Sequence, residues 1–144
     1  MEKSDTKELL RECNAGIKMG VNAIDGVLPT VRSETLRRTL KESKNVHSRL
    51  GSEAHRLLNI RGVSGRSPHP MVRNMAKMKT SMKLALSPTD RSVAELITDG
   101  CNMGVKSLSH YKNRHAGAAP EAKKIVDQLI QEEISLAEHM REYL

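Results

Sequence analysis

The six residues 13–18, CNAGIK, recur at residues 101–106 as CNMGVK, and this repeat decides how the rest of the chain is interpreted. The copies are 88 residues apart (101 minus 13) and contain the only two cysteines of the 144-residue chain. The residues identical in both copies, called the repeat signature here, are Cys13, Asn14, Gly16, Lys18, Cys101, Asn102, Gly104 and Lys106. A match of this kind predicts that the chain consists of two copies of one structural unit.

Each copy is predicted to be a hairpin of two long helices. Apolar residues around each signature recur at the three- and four-residue spacing of a helix. In the first half, Pro29 ends this pattern and Ser33 is placed to cap a second helix. In the second half, AGAAPE at residues 116–121 interrupts the pattern and Pro120 begins the last helix. No stretch keeps the strict alternation of a strand, so no strand is predicted.

One hairpin cannot bury both of its apolar faces, so the two hairpins are predicted to pack together as one domain over residues 1–144. The fold class expected is all-α, an up-down-up-down four-helix bundle with an extra short connecting helix. Its parts are hairpin 1 at about residues 5–61, a basic Met-rich connecting helix at about 70–86, and hairpin 2 at about 88–144.

This topology makes the first and third long helices parallel, so Cys13 and Cys101 are expected at one height. Gly16 and Gly104 then follow nearly one turn later. Because glycine has no side chain, they would allow a close approach of helices or leave room for a partner side chain.

The composition argues against several classes of protein. Aromatic residues make up 1% of the chain, with two Tyr and no Phe or Trp. Such a chain is poorly suited to an all-β core or to a base-stacking nucleic-acid module. No apolar run approaches the ~20 residues of a membrane span, and no apolar signal-peptide core is found at the start. Two cysteines without such a leader predict a cytoplasmic protein with free thiols.

Nearly all of the net charge of +7 lies in the middle of the chain. Residues 61–88 contain six basic side chains and no acidic one. Methionines within this segment fall in a helical stripe ~60° wide. They are Met71, Met75, Met78 and Met82, and the basic residues around them are Arg73, Lys77, Lys79 and Lys83. The segment is interpreted either as a crossover helix packed on the bundle through Met or as a binding helix for an acidic partner.

The two-hairpin plan, the CNxG(I/V)K signature and the closing EEISLAEHMREYL of residues 132–144 resemble the ferritin-like superfamily. More narrowly, they resemble a small bacterial branch of unknown function. The resemblance covers most of residues 5–144. It implies a ferritin-like four-helix bundle and leaves the activity open, because one fold hosts many functions.

The ligand set of a ferritin-like di-iron site is missing from this chain. Such sites take a Glu from each of two helices and a Glu-x-x-His from each of the other two. No Asp or Glu here is followed three positions later by His, and Lys18 and Lys106 stand where inward carboxylates are needed. We therefore predict no di-iron site and no cofactor. The candidate ligands for a metal site assembled across helices are His47, His55, Glu132 and Glu138.

The histidines and cysteines also have simpler interpretations. The six histidines form no HxH, HxxxH or HExxH pattern, so helix-surface or boundary positions are predicted for them. Cys13 and Cys101 are predicted to be small apolar core residues, with a redox pair as the alternative. Neither thiol has a CxxC motif or an adjacent activating base, which argues against a nucleophilic enzyme.

Three functions follow from these observations. The main prediction is a non-enzymatic structural or interaction protein that self-associates as a homodimer. The first alternative is a metal-binding or oxidative-stress protein of the ferritin-like kind with displaced ligands. The second is a binder of an acidic protein, an anionic membrane surface or nucleic acid through residues 61–88.

Overall fold

The computed structural model describes residues 2–62 and 89–144, which form four long helices. The helices are α1 (Glu2–Val27), α2 (Glu34–Ile60), α3 (Asp90–Arg114) and α4 (Pro120–Met140), with short 3-10 turns at Leu28–Thr30 and Arg141–Tyr143. No strand occurs in these two ranges, so the all-α prediction is confirmed. The predicted connecting helix at 70–86, with its methionines and basic residues, lies outside the described residues. None of the four helices is long and apolar enough to cross a membrane.

The ends of the helices follow local signals in the sequence. Pro29 lies in the 3-10 turn that follows α1. The hydroxyl of Ser33 caps α2 by accepting a hydrogen bond from a backbone N–H in its first turn, at 3.2 Å. Pro120 is the first residue of α4. These three predicted boundaries are confirmed because capping and proline effects depend only on residues within one helical turn.

Hydrogen bonds between residues far apart in the sequence show the directions of the helices. Asp5, near the start of α1, accepts a hydrogen bond at 3.1 Å from the backbone N–H of Gly117, just beyond α3. Asp90, at the start of α3, accepts hydrogen bonds from the backbone N–H groups of Arg32 and Ser33 at 2.8 and 2.9 Å. Those two residues lie just beyond α1. Helices α1 and α3 are therefore antiparallel, and the predicted up-down-up-down order is wrong.

The observed order is up-down-down-up. Helix α2 packs antiparallel to α4, as shown by the ion pair of Arg61 at the end of α2 with Glu121 at the start of α4, at 3.1 Å. The end of α2 and the start of α3 consequently lie at opposite ends of the bundle. Helix patterns in the sequence are the same for both topologies, so only contacts such as these distinguish them.

The apolar core is divided into two clusters at opposite ends of the bundle. Cys13 belongs to the cluster near the start of α1, and Cys101 belongs to the cluster near the start of α3. The prediction that both cysteines lie at one height is therefore wrong. Because α1 and α3 are antiparallel, the two cysteines contribute to different clusters.

Candidate functional site

A charged pair lies between the two core clusters. His47 of α2 is only 1% exposed, and its Nε2 atom lies 2.6 Å from Oε1 of Glu133 in α4. The Nδ1 atom of His47 lies 2.8 Å from the backbone carbonyl oxygen of Ser43. Since a carbonyl oxygen only accepts hydrogen bonds, Nδ1 carries a proton. Both ring nitrogens of His47 are therefore engaged, and the second proton is shared between Nε2 and the carboxylate.

The surroundings of His47 favour its charged form. Burial alone would lower the pKa of His47, but the hydrogen bond and charge of Glu133, the Ser43 carbonyl and the charge of Glu132 together raise it above 6.5. Burial also raises the pKa of Glu132. The charge of His47 and the hydrogen bond donated by the Ser43 hydroxyl at 3.4 Å lower this pKa, but burial outweighs them. The contact with Glu133 therefore favours the protonated ring of His47, and a second carboxyl group, that of Glu132, lies nearby.

Two glycines on the other pair of helices make room for these side chains. A Cβ atom at Gly20 of α1 would lie 2.9 Å from Cδ2 of His47. A Cβ atom at Gly104 of α3 would lie 3.2 Å from Oε2 of Glu133. Gly20 thus allows α1 to pass directly over the imidazole ring, and Gly104 lets α3 approach the carboxylate.

A cavity of about 230 Å³ lies between α1 and α3, next to this pair. His47, Glu133 and Cys101 form part of its lining, which is otherwise mainly apolar. The small residues that α1 and α3 contribute to it are Ala15, Gly16, Gly20, Ala23, Gly100 and Gly104. These residues leave the space between the two helices unfilled. Met103, which is 50% exposed, also lines the cavity and marks its outer side.

The ionisable groups around the cavity are mostly acidic. Glu12, Asp99 and Glu133 line it, and no Lys or Arg within residues 2–62 and 89–144 does. Among the described residues of the lining, His47 is the only side chain that can become cationic, and its ring nitrogens are already engaged. This local charge is opposite in sign to the net charge of +7 on the whole chain.

The thiols near and away from the cavity are both in their protonated form. Burial, followed by the charge of Glu133 and a hydrogen bond to it, raises the pKa of Cys101. Burial raises the pKa of Cys13 to about 12. Both cysteines are free, and a thiol in this state is a poor nucleophile.

The candidate metal ligands from the sequence are only partly brought together. His47 and Glu132 both contact Ser43, whereas His55 and Glu138 are exposed. In the part of the chain that the structure describes, no three His, Cys, Asp or Glu side chains are grouped so that they could hold a metal ion.

The members of the repeat signature have three different environments. Cys13, Asn14 and Cys101 are buried in the core. Gly16 and Gly104 line the cavity. Gly104 also makes room for the side chain of Glu133, which is one of the two roles predicted for these glycines. The exposed members are Lys18, Asn102 and Lys106.

The predicted surface or boundary position is wrong for His47. Sequence reasoning also missed its partner Glu133 and the clearance at Gly20. One signal was available: His47 lies four residues after Ser43 and three before Leu50, on the apolar side of α2. Ser43 of α2 and Glu133 of α4 are also both buried polar residues.

Comparison of the chain with protein-family models, curated proteins and solved structures found no match. The cavity and the His47–Glu133 pair are therefore the features from which a function is inferred.

Proposed function

We propose that this chain is a non-enzymatic helical binding protein, ferritin-like in architecture, that takes a small and largely apolar molecule into the cavity between α1 and α3. The cavity is the observation that carries this proposal. Bundles commonly place ligand sites between helices, and such sites combine apolar walls with a few polar groups. The lining described above has this character.

The size of the cavity limits the size of the ligand. Empty apolar space is unfavourable because the atoms around it lose dispersion contacts, which a bound molecule restores. An apolar cavity of roughly 150 Å³ accommodates benzene. The cavity of about 230 Å³ therefore suits a ligand with on the order of ten non-hydrogen atoms.

The order of the helices supports the ferritin-like part of the proposal. An up-down-down-up bundle joins its second and third helices, which run in the same direction, through one long connection, as ferritin-like folds do. The chemistry of the lining supports a non-enzymatic role. The Cys101 thiol is protonated, and His47 has no free nitrogen with which to accept a proton.

Titration of the ¹⁵N-labelled protein with 2-phenylethanol, a neutral probe of suitable size, tests the proposal by NMR. We expect saturable shifts at backbone amides around Gly16, Gly100 and Gly104. The variant Gly16→Leu fills the cavity, and its Cβ atom has room because the nearest atom, in Leu108, is 4.0 Å away. It should abolish binding.

The matched control is Gly26→Leu, on the same helix. A Cβ atom at Gly26 meets nothing within 4 Å, and Gly26 does not line the cavity. This variant should bind 2-phenylethanol as the wild type does. Absence of saturable shifts in the wild type, or unchanged binding in Gly16→Leu, would overturn the proposed function.

The alternatives from the sequence have tests of their own. Calorimetry with iron, zinc and manganese tests the metal-binding alternative. Salt-dependent retention on heparin or anionic vesicles tests binding through residues 61–88, because phosphate contacts weaken steeply with salt. Sedimentation equilibrium tests the homodimer.

A further inference from the structure

The charged side chains that line the cavity indicate which head group its ligand has. Resting on the proposed function, we propose that the ligand is a small organic cation, with an apolar body and an ammonium head that donates hydrogen bonds to Glu133.

The Glu133 carboxylate has acceptor capacity beyond its present contacts. A carboxylate offers about four lone-pair positions for hydrogen bonds. Among the described residues, His47 donates to Oε1 at 2.6 Å, and the thiol of Cys101 is a second, weak donor. The other oxygen, Oε2, lies on the side of Gly104, where a Cβ atom would be 3.2 Å from it. Gly104 lines the cavity, so an ammonium group there can donate to Oε2.

The imidazole ring cannot serve a ligand in the same way. Its two nitrogens are held by Glu133 and by the carbonyl of Ser43. The polar contact available at this end of the cavity is therefore an acceptor, and it selects a ligand that donates hydrogen bonds.

The balance of charge also favours a cation. Among the groups that line the cavity, the positive charge favoured on His47 offsets the carboxylate of Glu133. Glu12 adds negative charge to the lining, where no described Lys or Arg is present. An anionic ligand would meet like charges in a partly desolvated space, and a neutral one would forgo a charge-assisted hydrogen bond.

Three probes with the same apolar body separate these cases. The wild-type protein is titrated at pH 7 with 2-phenylethylamine, which is protonated, with neutral 2-phenylethanol and with anionic phenylacetate. We expect the amine to bind at least about tenfold more tightly than the alcohol, since charge-assisted hydrogen bonds are the stronger kind. Phenylacetate should bind most weakly.

The variant Glu133→Gln tests the assigned acceptor. Its amide can donate to Nε2 of a neutral His47 that still donates its Nδ1 proton to the Ser43 carbonyl, so both ring contacts are retained. We expect its preference for the amine over the alcohol to fall from tenfold to about two- to threefold, the share that Glu12 supplies. Glu138→Gln removes the same charge from an exposed position of α4 and should leave the tenfold preference intact. Glu12→Gln, a change in the lining remote from the His47–Glu133 pair, should reduce the preference two- to threefold.

The outcomes distinguish this inference from the proposed function. If the alcohol binds as tightly as the amine in the wild type, or if Glu133→Gln keeps the preference at its full size, the cation assignment is wrong while the cavity remains a binding site. If none of the three probes binds because a second copy or another part of the chain covers the cavity, the proposed function fails and the cation assignment fails with it.

Discussion

The Nε2 atom of His47 lies 2.6 Å from the Oε1 atom of Glu133, and this buried contact joins α2 to α4 between the two apolar clusters. Charged groups removed from water need partners, because the loss of hydration costs several kcal/mol per ion in order of magnitude. The contact therefore constrains the register of α2 against α4. It also places a carboxylate beside the space left by small residues of α1 and α3.

The stability of the protein should depend on pH through His47. Its pKa is raised above 6.5 in the folded protein, so the stability from the protonated ring is fully present below pH 6.5 and is lost as the pH rises through the folded-state pKa. The raised pKa of Glu132 also makes the protein less stable as the pH rises. The stability that comes from its protonated form is fully present only below the ordinary pKa of 4.5. We expect the melting temperature to fall between pH 6 and pH 8.5, and to fall less in His47→Gln. If the melting temperatures of the wild type and of His47→Gln fell by the same amount over this pH range, this prediction would be contradicted.

Breaking the buried pair should cost more than replacing it. His47→Leu leaves the Glu133 carboxylate without its main partner, which should lower the free energy of unfolding by about 3–5 kcal/mol. The double variant His47→Leu/Glu133→Leu leaves no unpaired charge, so we expect it to be more stable than His47→Leu. Urea denaturation of the wild type, both single variants and the double variant measures the coupling. Strictly additive losses would show that the two side chains do not act as a pair.

The clearance between α1 and His47 predicts opposite effects for two similar substitutions. Gly20→Ala places a methyl group 2.9 Å from the imidazole ring, and we expect a loss of about 1–3 kcal/mol despite the better helix propensity of alanine. At Gly26 the same substitution meets nothing within 4 Å and should stabilise the helix by up to about 1 kcal/mol. Thermal denaturation distinguishes them, and stabilisation by Gly20→Ala would contradict the observed contact.

The cysteines should be unreactive in the folded protein. Burial raises the pKa of Cys13 to about 12 and also raises that of Cys101, so little thiolate forms at pH 8. We expect Ellman's reagent to modify neither thiol under native conditions and both in 6 M guanidinium chloride. Rapid modification of either native thiol, or recovery of a Cys13–Cys101 disulfide, would support the redox alternative instead.

Local features of the fold were predictable because they depend on residues close together in the chain. The Ser33 cap and the start of α4 at Pro120 are properties of single turns. The buried positions Leu36 and Leu40 of α2 follow from helical spacing alone. Gly16 and Gly104 were correctly singled out as positions where bulk is missing, although their surroundings were not predicted.

The candidate site was less accessible to sequence reasoning. A histidine on an apolar helix face can be buried only if the facing helix supplies a polar partner. For His47 this partner is Glu133, which is 86 residues away in the sequence. The cavity depends on which small residues of α1 oppose those of α3. That pairing reverses when the two helices are antiparallel instead of parallel.

The sequence by itself determined that the described part of the chain is helical, where α2 and α4 begin, which faces are apolar, and that no acid is followed by histidine at the di-iron spacing. These properties arise from interactions over three or four residues. Only the tertiary structure decided the directions of α1 and α3, the separation of the cysteines, the burial of His47 against Glu133 and the space beside them. Each of these depends on contacts between residues far apart in the chain, which local propensity and spacing do not specify.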